Sequence, residues 1–132
     1  MTLGRYQMKR GRARGELPSG ERQDTRKHTR HVLRPAAANV AAYLSGEMTW
    51  PAFAEAYRAL VEARMAEDRG PFDALADLAR ATDVWLGCSC PTKQNPDVRR
   101  CHTWLALEHM QAAYPDLDVT FPEPGSPHPQ RG

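Results

Sequence analysis

Apolar residues recur along this chain with two different periods, and the change from one to the other divides it. Trp50, Phe53, Ala54, Tyr57, Leu60, Val61 and Met65 fall on one helical stripe. Thr49 stands ahead of that stripe as a capping residue, and Pro51 lies in the first turn, where a missing N–H costs nothing. Ala36 to Leu44, opened by Pro35 and closed by Ser45-Gly46, reads as a shorter helix before it. Gly70-Pro71 ends the long helix and opens another, on which Phe72, Leu75, Ala76 and Ala79 recur at i, i+3, i+4 and i+7. The period then shortens. Val84-Trp85-Leu86-Gly87-Cys88 is a continuous apolar run between Asp83 and Pro91, as expected of a strand buried on both faces. After a polar, turn-rich stretch to Arg100, a helix is expected from about His102 to Ala113, stopped by Pro115. Leu117 to Phe121 then alternates as a following strand. Thr2 to Met8 reads as a short first strand. The pattern predicts an α/β protein: a single small domain of three to four helices on a short, mostly parallel sheet, with a C-terminal βαβ unit of right-handed crossover.

Length and charge refine this picture. A chain of 132 residues, 41% hydrophobic and 26% charged, supports one compact core and contains no apolar run long enough to cross a bilayer. The expected location is the cytoplasm, with no membrane partner, since residues 1–10 do not have the form of a signal peptide. The net charge of +2 hides an asymmetry: residues 1–34 carry ten Lys/Arg against three acids, a net +7, and the remainder eight against thirteen, a net −5. From Lys9 to Arg34 the charges mix with three glycines and Pro18 without periodicity, which reads as a loop ordered only by a bound partner. The expected organisation is a basic strand/loop arm over 1–34, an α/β core over 35–121 and a disordered Pro/Gly-rich tail over 122–132. Arg10, Arg12, Arg14, Arg26, Lys27 and Arg30 of the arm suit nucleic-acid phosphate or a phosphorylated ligand; they equally suit a solvated segment.

The chemistry concentrates in one place. All three cysteines, Cys88, Cys90 and Cys101, lie within fourteen residues, and His102 follows the last. Cys88 and Cys90 share a face if the strand persists, at the carboxyl end where open α/β folds build ligand sites. Cys101 and His102 return near the start of the next helix, whose dipole favours a thiolate or an anion, with Arg99 and Arg100 adding to the field. Asn95 or Asp97 is expected to cap that helix. Three readings stand side by side. Cys90 or Cys101 is a reactive thiol with His102 as base or orienter; the four residues hold zinc; or the cysteines simply pack. Adjacent helical residues point about 100° apart, so Cys90 with His102 is the expected pairing rather than Cys101 with His102. The spacing departs from the usual zinc knuckles, and no metal site is assigned from it.

The helix Trp50-Pro51-Ala52-Phe53-Ala54-Glu55-Ala56-Tyr57-Arg58, the strand VWLGCSC and the Cys101-His102 helix start together resemble the family called domain of unknown function 488, over roughly residues 35 to 121. The resemblance implies a one-domain α/β fold. Carried over residue by residue, it marks Trp50, Phe53, Tyr57, Arg58, Cys88, Cys101 and His102. Members commonly have Arg after Cys-His; here that position is Thr103, and the family's usual amino-terminal half is not recognisable. Arg99 and Arg100, with Arg58, form the expected anion-binding set. The expected function is an anion-binding, Cys/His-containing pocket for a nucleotide or nucleic-acid phosphate, and the alternative is a non-enzymatic interaction protein acting through its basic arm.

Overall fold

The computed structural model describes residues 1–8 and 17–122. Its centre is β3 (Val84–Cys88), in which every residue is buried. Parallel strands flank it on both sides: β1 (Leu3–Gln7), running in register from Leu3 opposite Val84 to Gln7 opposite Cys88, and β2 (Glu21–Asp24), from Glu21 opposite Val84 to Asp24 opposite Gly87. Full pairing on both edges explains why β3 tolerates an unbroken apolar sequence: its polar backbone groups are satisfied within the sheet. Around it lie α1 (Ala37–Ser45), α2 (Trp50–Glu67), α3 (Gly70–Ala81) and α4 (His102–Ala113). Phe53, Tyr57 and Val61 of α2, Phe72 and Leu75 of α3, and Leu105, Leu107 and Met110 of α4 join Leu3, Val84 and Leu86 in one core. The expected α/β architecture stands, with four helices on a three-stranded, all-parallel sheet. Among the described residues no helix is long and apolar enough to cross a membrane.

Local chemistry sets the helix ends largely as expected. The Thr49 side chain accepts a hydrogen bond from the Ala52 N–H, with Pro51 in the first turn. Gly46, at φ +88°, closes α1 in the left-handed conformation that a side chain disfavours. Pro35 stands two residues ahead of α1 rather than in its first turn.

Three differences from the sequence reading concern the strands and the amino-terminal third. Residues 21–24, read as part of a charged loop, form an edge strand. Glu-Arg-Gln-Asp has no apolar alternation because one edge of β2 faces solvent, where charge is the usual protection against stray pairing. Gly20 makes the entry feasible: its φ is +115°, and a Cβ there would lie 2.6 Å from the Asp83 carbonyl oxygen. Second, residues 1–8 and 17–34 are built into the sheet and core rather than appended as an arm. The loop after β2 is held by α2, whose Tyr57 hydroxyl donates to Leu33 O (2.6 Å) and whose Arg64 donates to Val32 O and Arg34 O (2.7 Å each). Third, the expected strand at 117–121 contracts to a single parallel bridge between Val119 and Leu3, fixed by Leu3 N donating to Asp118 O and Thr120 N to Leu3 O. The next rung of a parallel ladder calls on the N–H of residue 122, which is proline and has none.

Two predictions test this packing. A Cβ at Gly4 would lie 2.4 Å from the buried Trp85 ring, so Gly4→Ala is expected to lower stability by about 1–3 kcal/mol in denaturant unfolding. His31 accepts from Leu33 N through Nδ1 and meets Gln23 Oε1 through Nε2 at 2.7 Å, which defines a neutral ring, and burial pushes its pKa down to about 4. The folded pKa lies below the unfolded value, so stability is expected to fall as pH drops from about 6.5 towards 4. The slope of unfolding free energy against pH over that range should flatten in His31→Gln.

Candidate functional site

The carboxyl ends of all three strands meet at one edge of the sheet, and each contributes to the cysteine cluster. Cys88 ends β3. The chain leaves the sheet there rather than at Cys90, yet the sulfurs of Cys88, Cys90 and Cys101 all lie within 4.8 Å of one another. Side chains two apart on a strand share a face, and on β1 this places Arg5 and Gln7 beneath the loop. Gln7 Nε2 donates to Ser89 O (3.2 Å) and Pro91 O (2.7 Å), and Arg5 Nη2 donates to Cys90 O (2.7 Å). Asn95 fastens the far side, its Nδ2 donating to Arg100 O (2.8 Å) and to Cys90 Sγ (3.2 Å).

Cys101 is the N-cap of α4, in extended conformation at φ −133° and ψ 149°, and His102 is the first helical residue. This overturns the expectation that the pair diverges: the 100° rotation applies only between two helical residues, and here Cys101 Sγ and His102 Nδ1 are 3.8 Å apart. Nδ1 also lies 3.9 Å from Cys88 Sγ, and the Cys88 and Cys101 sulfurs are 3.5 Å apart. Neither Asn95 nor Asp97 caps α4. Asp97 accepts from Arg99 N and caps the short 3-10 turn Val98–Arg100 before it.

The imidazole is oriented by Thr25, the residue after β2. Its hydroxyl donates to Gly87 O (2.9 Å), which leaves its lone pairs to accept from His102 Nε2 at 2.8 Å. Nε2 therefore carries a proton, and Nδ1 faces the sulfurs. Hydrogen bonding with Cys88 and then Cys90 holds Cys101 well below the ordinary thiol range, and the His102 charge adds to it against burial. The same contacts raise Cys88 and raise Cys90 to about 11. Burial alone would lower His102, but the charges of Cys101 and Cys88 outweigh it and raise its pKa to about 10.

A cavity of about 320 Å³ opens over this cluster, with Cys88, Cys90 and His102 on its floor and Arg26, Lys27 and His28 of the post-β2 loop along its rim. A smaller one of about 80 Å³ lies alongside, bounded by Tyr43, Trp50 and Phe53 with Cys101 and Arg100. Those rings stand 5.5 to 5.6 Å from one another, and Tyr57 carries the aromatic series on to His102 at 6.0 Å. A larger depression of about 530 Å³, lined by Glu62, Met65, Arg69 and His109, lies elsewhere and contains no such cluster.

Of the residues singled out from sequence, Cys90, Cys101 and His102 come together, and Arg100 borders the smaller cavity. Arg99 turns onto Asp97. Arg58 pairs with Glu108 at 3.8 Å, about 9 Å along the α4 axis from His102 by helical rise. Arg26 and Lys27, read as nucleic-acid contacts, line the rim of the cavity, and Arg30 is exposed and does not line it. Arg10, Arg12, Arg14 and the tail after Pro122 lie outside the described residues. Trp85 and Trp104 pack internally, one donating to Ser19 O and the other against Phe121.

The sequence reading missed Arg5 and Thr25, took Asn95 for a helix cap and marked Thr103 only as a departure from the family pattern. The positive charge beside Thr103 is that of Arg5, which is 1% exposed and whose Nε donates to Thr103 Oγ1 at 3.0 Å. Thr103 Oγ1 donates in turn to Cys101 Sγ at 3.2 Å. The signal was an arginine in the middle of a strand otherwise buried on both faces. Arg5→Met is expected to cost about 2–4 kcal/mol, because the Cys90 carbonyl loses a charged donor in a buried setting. Chemical denaturation measures the loss, and Arg5→Lys should recover part of it.

The family model for the active DUF488-N3 subclade matches residues 7–113. The match takes in β2 and the loop after it, so the basic stretch is part of the family region rather than a replacement for it. No curated protein and no solved structure matches the chain.

Proposed function

The chain belongs to the active DUF488-N3 subclade, and we propose that within that family it binds a small phosphate-bearing ligand, of nucleotide or sugar-phosphate size, in the cavity over the cysteine cluster. The observation that carries this reading is the meeting of Arg26, Lys27 and His28 above Cys88, Cys90 and His102 in one space of about 320 Å³. That volume lies within the range of small-molecule sites and is too small for a folded partner. The rim keeps a net positive charge: Arg26 is paired with Asp24 at 2.9 Å, and Lys27 makes no ion pair among the described residues. Location adds support, since ligands of open parallel sheets gather where the strand carboxyl ends and their loops converge. A phosphate placed under Lys27 would also sit near the His102 ring.

Calorimetric titration with adenosine monophosphate and with inorganic phosphate tests the reading. Binding is expected in the wild type and about tenfold weaker, or 1.4 kcal/mol, in Lys27→Glu, with the fold unchanged by circular dichroism. If neutralising Arg10, Arg12 and Arg14 abolishes binding while Lys27→Glu leaves it intact, the chain works through its basic segment and the pocket reading is wrong.

A further inference from the structure

We propose that Cys88, Cys90, Cys101 and His102 form a zinc site at the floor of this pocket, with three thiolates and the Nδ1 of the imidazole as ligands. The proposal goes beyond the anion pocket and does not require it. Tetrahedral zinc with Zn–S near 2.3 Å sets sulfurs about 3.8 Å apart and a ring nitrogen slightly closer. The Cys88–Cys101 separation of 3.5 Å and the Nδ1 distances of 3.9 and 3.8 Å to those sulfurs already approximate three edges of such a tetrahedron. Cys90, at the half-exposed lip, lies within 4.8 Å of both other sulfurs, so closing the set needs a shift of about 1 Å.

The surroundings match what thiolate and imidazole ligands require. Thr25 accepts from Nε2 and thereby presents the Nδ1 lone pair to the sulfurs, the orienting role that a second hydrogen bond plays for most metal-bound histidines. Each of two sulfurs receives a donor suited to a thiolate: Asn95 Nδ2 at 3.2 Å from Cys90, and Thr103 Oγ1 at 3.2 Å from Cys101. Three thiolates around a divalent ion leave one negative charge, and the buried Arg5 guanidinium lies one hydrogen bond from both Thr103 and the Cys90 carbonyl. The donor set, sulfur-rich with one imidazole and no carboxylate, selects zinc over calcium or magnesium. The adjacency of Cys101 and His102, which made the spacing unlike a zinc knuckle, is resolved by the extended backbone of Cys101 ahead of the helical His102.

The test uses the full chain expressed with zinc in the medium and purified under reductant without chelator. Elemental analysis is expected to give one zinc per chain. Protein stripped with chelator and titrated with cobalt(II) should develop the absorption of tetrahedral thiolate-ligated cobalt. Cys90→Ser, at the lip rather than in the core, should lose about a third of the thiolate-to-cobalt intensity, as one of three sulfurs is removed. Thr25→Val, which leaves every ligand in place, should weaken cobalt binding about 10–100-fold. Less than about a tenth of an equivalent of zinc together with no cobalt spectrum overturns the proposal. So does a Cys88–Cys101 disulfide in protein purified this way, since the close pair would then be a redox couple. Phosphate binding is measured separately on the stripped protein, so the presence or absence of each activity is read on its own and failure of one reading is distinguishable from failure of the other.

Discussion

β3 is hydrogen-bonded along both edges and buried on both faces, and every other feature of the molecule answers to that. A strand so enclosed has nowhere to expose polar groups except at its ends. Because its neighbours run parallel to it, the carboxyl ends of all three strands reach the same rim. Cys88 and its loop, the β1 side chains Arg5 and Gln7, and Thr25 after β2 are neighbours for this reason, although β1 and β2 lie more than eighty and more than sixty residues before the cysteine loop. The helix that must follow a parallel strand then brings Cys101 and His102 back to the same rim.

Arg5 shows how the site is supported from below. A guanidinium with almost no exposure is tolerable only when its donors are used, and here they reach a backbone carbonyl in the cysteine loop and the hydroxyl of Thr103. A single side chain of β1 thus ties the loop after β3 to the first turn of α4.

What could be read from the sequence divides along physical lines. α2 and α3 were legible because each buries a face and so carries a period, and β3 because burial on both faces leaves an unbroken apolar run; helix ends were legible where Thr49, Pro51, Gly70 and Pro115 act locally. β2 was not, since Glu21 to Asp24 owe their strand conformation to β3 and not to any pattern of their own. The bridge at Val119 was over-read as a strand because alternation takes no account of the missing N–H at Pro122. Within the site, the reactive residue types announced themselves by clustering. Their supporting partners did not: Thr25, Asn95 and Thr103 are ordinary polar residues whose roles exist only once three loops meet. The separation assigned to Cys101 and His102 failed for a specific reason, since it presumed both residues to be helical.

Thr25 directly precedes Arg26, so the residue that fixes the imidazole on the pocket floor is joined by one peptide bond to the first residue of the basic rim. Its amide and its hydroxyl both bond the Gly87 carbonyl, so the loop cannot move without disturbing the partner of His102 Nε2. A ligand on the rim and a proton or ion at Nδ1 would therefore be linked through one threonine. Linkage of this kind is reciprocal: the free energy by which a ligand on the rim alters the affinity at the imidazole equals that by which a proton or an ion at the imidazole alters the affinity at the rim.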